Sequence, residues 1–185
     1  ASVCGSPERL SAAAAAARVE WPVALVTMPF ALATRPSLQL GLLAAIARTH
    51  GFGVTTLHLN LDFVARIGGE RYHHLACTRN PMFGDWLLAR AAFGDDVPDG
   101  AGTLPDDVAP LGAETLAALA MTTAELRAWR DELAPAYVDA MVEAVDWSAF
   151  RIVGFTSTFQ QNVASFALAR RIKAEHPDVV TLFGG

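Results

Sequence analysis

The sequence predicts an α/β fold built on a parallel sheet, and three observations carry that reading. An apolar run, an amphipathic helical stretch and a second β-branched run follow each other closely near the start. The same pattern returns after residue 151. Between the two lies a long segment whose periodicity is helical and in which no strand is convincing.

The first strand lies in Trp21 to Met28 (WPVALVTM), where Val, Ala, Leu and Val follow one another without polar alternation, as in a strand buried on both faces. Pro29 ends it. PFALATRPS then forms a loop with two prolines, and Ser37 stands at an N-cap position. From Leu38 to His50 the spacing predicts an amphipathic helix whose stripe is Leu38, Leu42, Leu43, Ile46 and Ala47. Gly51 stops it. Val54 to Leu61 (VTTLHLNL) is β-branched and apolar, the second strand.

Residues 62–147 read as a helical insertion. Gly68-Gly69, Asn80-Pro81 and the stretch from Gly94 to Pro110 break it into pieces, with helices expected at Gly84 to Phe93, Leu111 to Ala120 and Thr123 to Val145. Thr122 and Glu125 have capping-box spacing, and Pro135 should kink or divide the last helix. Ile152 to Phe155 then opens the third strand, Gln160 or Asn162 opens a helix running to about Glu175, and Val179 to Phe183 makes the fourth strand. Strands are expected near residues 23–28, 54–60, 151–156 and 179–183. A doubly wound sheet normally continues beyond a pair such as Gly184-Gly185, so the chain reads as C-terminally incomplete. Its last strand would be a bare edge, and self-association of such a fragment is expected.

Hydrophobic residues make up 52% of the 185, enough for one domain with a real core, alone or with an appendage. Residues 1–20, with the Ala-rich run from Ser11 to Ala17, read as a helical or disordered leader. The run lacks the basic flank of a signal peptide and the length of a membrane span. Charged residues are only 18% and the net charge is −5, which argues against nucleic acid and against a polybasic membrane anchor. Cys4 and Cys77 match no zinc or redox spacing, no disulfide between them is expected, and the general character is cytoplasmic.

No G-x-G-x-x-G follows the first strand; there is no P-loop, no G-x-S-x-G elbow and no C-x-x-x-C-x-x-C cluster motif. What remains is polar loops at the carboxyl ends of parallel strands, where open α/β sheets bind ligands. Three qualify: Thr27 to Gln39, Thr156 to Asn162 (TSTFQQN), and Gly184-Gly185, where a missing Cβ permits close approach. They suit a large neutral or amide-bearing ligand better than a polyphosphate. Taken singly, the Ser, Thr, Gln and Asn residues could equally cap the following helix. His73, His74 and Cys77 lack a fourth ligand, and Asp95, Asp96, Asp99, Asp106 and Asp107 lack the alternation of a calcium loop. Trp21, Trp86, Trp129 and Trp147 are expected to be packing anchors.

The segments VALVTMPFALATRPSLQLGLL, VTTLHLNLDFVARIGGERY, GDWLLARAAFG and IVGFTSTFQQNVASFALARRIKAEHPDVVTLFGG resemble the N-terminal region of cobalamin-dependent radical SAM C-methyltransferases that mature ribosomally synthesised peptides such as bacteriocins. The resemblance runs from about Val23 to Gly185, with a variable stretch near Asp95 to Pro110. It implies a flavodoxin-like, Rossmann-type cobalamin-binding domain over residues 21–185, with strand order 2-1-3-4 and a fifth strand missing. The radical SAM barrel, with its 4Fe–4S cluster and S-adenosylmethionine, would lie outside this chain. In the full-length enzyme methylcobalamin would pass its methyl group to a carbon radical of a precursor peptide. This chain would bind cobalamin and carry no catalytic residue.

The cofactor-binding residues so implied are Met28, Pro29, Phe30, Pro36, Ser37 and Gln39 in the first loop. Thr156, Ser157, Thr158, Phe159, Gln160, Gln161 and Asn162 follow in the second, with Gly184 and Gly185 at the end. Ser157 and Phe159 stand where the family has an S-x-L element, Phe159 departing from its Leu. Cobalamin mutases carry D-x-H-x-x-G after the first strand; MPFALATRPS has no His, so no protein imidazole is expected on cobalt. Arg35 lies either beneath the corrin or in solvent. The alternative reading is a cofactor-free flavodoxin-like module that serves peptide docking or assembly through the helical insertion.

Overall fold

Alternation along β1 (Val23–Thr27) organises the molecule. The strand is buried at every position, and successive residues point into two different cores. Val23 and Leu25 meet Leu40 and Ala44 of α2 (Leu38–Thr49) on one face of the sheet. Ala24 and Val26 point the other way, into the larger core. The computed structural model describes residues 12–77, 82–97 and 116–184.

The sheet is α/β in the parallel sense throughout, with the order β2-β1-β3-β4, where β2 is Val54–His58, β3 Ile152–Thr156 and β4 Val180–Gly184. This is the order of the first four strands of a flavodoxin-like sheet. The four strands fall where the sequence predicts them, except that β2 is shorter. It stops at His58 because its neighbour β1 ends at Thr27, its register partner. Asn60 and Leu61, expected in that strand, instead open α3 (Asn60–Ile67), whose Phe63 and Ile67 are buried one turn apart. α1 (Ala12–Val19) precedes β1, and its Arg18 reaches the carbonyl of His50 at 3.1 Å and the ring face of Phe52.

Among the described residues of the insertion there is no strand. α4 (Gly69–Cys77), α5 (Phe83–Phe93), α6 (Thr123–Ala128) and α7 (Ala134–Ala144) are helical, and the stretch from Leu111 lies outside the described residues as far as residue 115. The capping box at Thr122 and Glu125 forms in full. The division expected at Pro135 is present, with Pro135 in the first turn of α7. A π-helical turn, Trp129–Leu133, sits between α6 and α7 and closes with Ala134 N–H on the Trp129 carbonyl. The wider turn gives the pyrrolidine ring room where an α-turn would clash. α5 and α8 (Asn162–Glu175) pack on each other, and the buried residues of both include small ones, Gly84, Ala91 and Ala92 on α5 and Ala164 and Ala167 on α8.

One sequence expectation is reversed. The sequence groups Leu38, Leu42, Leu43, Ile46 and Ala47 as the apolar stripe, yet Leu38 is 83% exposed and Leu42 59%, Ala47 is half-buried, and Leu40, outside the stripe, is 1% exposed. α2 is apolar nearly all round, so its periodicity cannot choose a face. Its N-cap, Ser37, does behave as expected, accepting from Leu40 N–H at 3.2 Å, and Gly51 takes φ +88° just after the helix. At the opposite edge of the sheet β4 has no outer neighbour among the described residues, and Val180, Leu182 and Phe183 are all exposed. Of the tryptophans, Trp86 and Trp147 are buried and Trp129 packs against the same core, while Trp21 is exposed. No described helix is long and apolar enough to cross a membrane.

Candidate functional site

Residues at the carboxyl ends of β2, β1 and β3 enclose a crevice of about 730 Å³. Strand order reverses beside β1, and such a switch point is where open parallel sheets leave a cleft. The volume is in the range of small-molecule sites.

The first wall is the loop after β1. Phe30, Pro36, Ser37 and Gln39 line the crevice, together with Arg35. The loop is held from behind. Phe30 is buried with its ring 5.6 Å from that of Phe63 and 5.4 Å from that of Tyr72, and the Tyr72 hydroxyl donates to the Ala31 carbonyl at 2.6 Å. The helical insertion thus fixes the shape of the first loop. Met28 and Pro29 are buried and do not line the crevice.

The second wall is the loop after β3. Thr156, Thr158, Phe159 and Gln161 line the crevice. The Thr156 hydroxyl donates to Gln161 Oε1 at 3.0 Å, while Phe159 is 82% exposed at the rim. Three neighbours turn away. Gln160 is buried at φ +66°, and its Oε1 accepts from Gly84 N–H at 3.2 Å. Ser157 and Asn162 bond each other. The capping alternative is not how this loop is used: Gln161, at the N-cap of α8, makes no side-chain cap bond, and Val163 N–H goes to Asp85 Oδ1 on α5 at 3.1 Å.

The third predicted loop lies apart. Gly184 does not line the crevice; its carbonyl accepts from Ser157 N–H at 2.9 Å, and a Cβ added to it would meet nothing within 4 Å. Gly185 lies outside the described residues. The crevice therefore spans the ends of strands two, one and three, not one, three and four.

Sequence reasoning missed the third wall, His58, Asn60 and Leu61 at the end of β2. The signal that could have found them is adjacency: with order 2-1-3, the carboxyl end of β2 must border any cleft at β1. Two polar atoms of the crevice have no partner. Thr27 is 2% exposed and Asn60 3%, and neither Thr27 Oγ1 nor Asn60 Oδ1 makes a hydrogen bond. Buried polar atoms are normally satisfied, so each such exception needs an explanation. Among the described residues no Asp or Glu lines the crevice.

Cys77 Sγ lies 3.7 Å from His73 Nε2, but no group of three or more His, Cys, Asp or Glu side chains that could hold a metal occurs among the described residues. Of the acidic run, Asp95 pairs with Arg90 at 2.7 Å, whereas Asp99, Asp106 and Asp107 lie outside the described residues.

Fold and site together define the class: an open parallel α/β domain with a crevice at its topological switch point, walled mainly by apolar and neutral polar side chains and by Arg35. Compared with protein-family models, curated proteins and solved structures, the chain matches none of them.

Proposed function

We propose that this chain is the cobalamin-binding part of a radical SAM peptide C-methyltransferase, and that its crevice receives the corrin. The observation that carries the reading is the crevice itself: it lies at the switch point, its walls are mainly apolar and neutral polar side chains with Arg35 as a cation among them, and it holds two buried polar atoms without partners. A corrin is a large, flat ligand edged with carboxamides, which suits such walls. Bound cobalamin supplies a cobalt-carried methyl group for transfer to carbon. The protein's part is to bind, orient and shield. Thr156, Thr158 and Gln161 offer neutral hydrogen-bonding groups on one side, and Phe30, held by Phe63 and Tyr72, gives the other side a rigid apolar surface.

His58 is the histidine that borders this crevice, so it tests the expectation that no imidazole ligates cobalt. The protein is incubated with hydroxocobalamin, desalted, and its visible spectrum recorded for the wild type and for His58→Ala. A retained corrin band that is the same in both supports the reading. A band shifted by the substitution overturns the unligated state alone, and the absence of any retained band overturns the cobalamin assignment. In that last case the docking-module reading gains, and the exposed ridge Leu38, Leu42, Leu43 and Ile46 is the observation that favours it, on α2 and not on the helical insertion where that reading put the docking.

A further inference from the structure

Asn60 and Thr27 sit on different elements, Asn60 opening α3 and Thr27 ending β1. Both are more than nine-tenths buried, both line the crevice, and each has an oxygen without a partner. The orientation of the Asn60 amide follows from its neighbour. Burial pushes the Tyr72 phenol well above its ordinary value, so it keeps its one proton. That proton is donated to the Ala31 carbonyl. In its bond with Asn60 the phenol oxygen is therefore the acceptor, and the amide must turn its Nδ2–H₂ toward Tyr72. Asn60 Oδ1 is left as a bare acceptor, and Thr27 Oγ1 as a hydroxyl able to donate or accept.

An acceptor in a buried place calls for an N–H or O–H donor, and a carboxylate there would be repelled and desolvated at once. A cationic ligand would find no Asp or Glu in the walls. Among the groups that edge a corrin, the primary carboxamide offers both a neutral donor and a neutral acceptor. We propose that Asn60 Oδ1 and Thr27 Oγ1 form a subsite that recognises one neutral carboxamide arm of the ligand. This rests on the cobalamin reading above and names the part of the cofactor that the floor of the crevice reads.

The subsite predicts opposite signs for stability and binding. Without ligand, replacing an unsatisfied buried polar group by an isostere relieves a cost; with ligand, it removes a bond. Thr27→Val should leave the melting temperature of the ligand-free protein unchanged or raised, whereas Asn60→Leu also gives up the amide's bond with Tyr72 and is read by binding alone. Each should weaken hydroxocobalamin about tenfold in a spectral titration, by loss of one buried hydrogen bond. Thr27→Ser, which restores the hydroxyl, should bind nearly as the wild type does. Titration with cobalamin monocarboxylates, in which one carboxamide has become a carboxylate, identifies the arm. One derivative should bind the wild type about tenfold more weakly, and should lose nothing further on Thr27→Val.

A wild type that binds while Thr27→Val and Asn60→Leu bind equally well overturns the subsite and leaves the cobalamin reading standing. So does equal affinity for every monocarboxylate. A lowered melting temperature in ligand-free Thr27→Val shows a structural role instead. If the wild type retains no hydroxocobalamin, the cobalamin reading and the subsite fall together. Should Asn60→Leu fail to fold, the Thr27 pair of variants decides alone.

Discussion

Gly84 and Gln160 are locked together at the back of the crevice. Gly84 N–H donates to Gln160 Oε1 at 3.2 Å, and a Cβ on Gly84 would stand 2.8 Å from Gln160 Cβ and 2.6 Å from Phe30 Cδ2. The first turn of α5 thus meets both ligand-facing loops at one point, through residues 76 positions apart in sequence. Gly84→Ala must push Phe30 or Gln160 aside. It should cost about 1–3 kcal/mol, the usual penalty of overpacking, measured by urea denaturation. A variant as stable as the wild type would show that the two loops yield freely.

Asp85, the next residue, takes the Val163 N–H at the start of α8. Burial raises its carboxyl above the ordinary carboxylate value, against the smaller lowering effect of the Val163 bond. A raised folded value means that the protonated form is favoured on folding. The contribution is complete below the unfolded value and is lost as pH rises through the folded one. Asp85→Asn keeps an acceptor for Val163 and removes the charge. Its denaturation midpoint, relative to that of the wild type, should improve between about pH 4 and pH 7. Parallel pH profiles for the two proteins would contradict this.

Leu40 and Leu42 stand on opposite sides of α2. Leu40→Ala should cost about 2–5 kcal/mol, as a buried leucine does. Leu42→Ala should stay within about 0.5 kcal/mol, as an exposed one does. Chemical denaturation of both variants settles which face of the helix meets the sheet, and the reverse order would restore the face that its spacing suggests.

Gly184 offers open space beside the β3 loop, and its φ is not positive, so a side chain there strains nothing. Gly184→Val should leave the melting curve unchanged. If the nucleotide tail of cobalamin runs past Ser157 and Gly184, as the family resemblance implies, the same variant should bind hydroxocobalamin at least about tenfold more weakly. Unchanged affinity would place the tail elsewhere.

The alternation of strand and helix, the four strands, the Ser37 and Thr122 caps and the stop at Gly51 were all readable along the chain. Each depends on residues within a turn or two of one another: an apolar run, a hydroxyl three residues before an N–H, a glycine able to take positive φ. Two of the three walls of the crevice were readable in the same way, because loops at the carboxyl ends of parallel strands are where clefts form. The tertiary structure alone decided the rest. α2 is apolar on several sides, and only contact with Val23 and Leu25 selects Leu40 and Ala44 as its inner face. Gln160 and Asn162 look like ligand groups beside Thr158, yet Gln160 turns to Gly84 and Asn162 to Ser157, choices made by distant packing and by a positive φ. His58 and Asn60 reach the crevice because β2 lies next to β1, and Asn60 Oδ1 is left bare because a tyrosine twelve residues away takes the other end of its amide. Local spacing determines which elements form, whereas the partner of each polar atom is set by which elements the fold brings together.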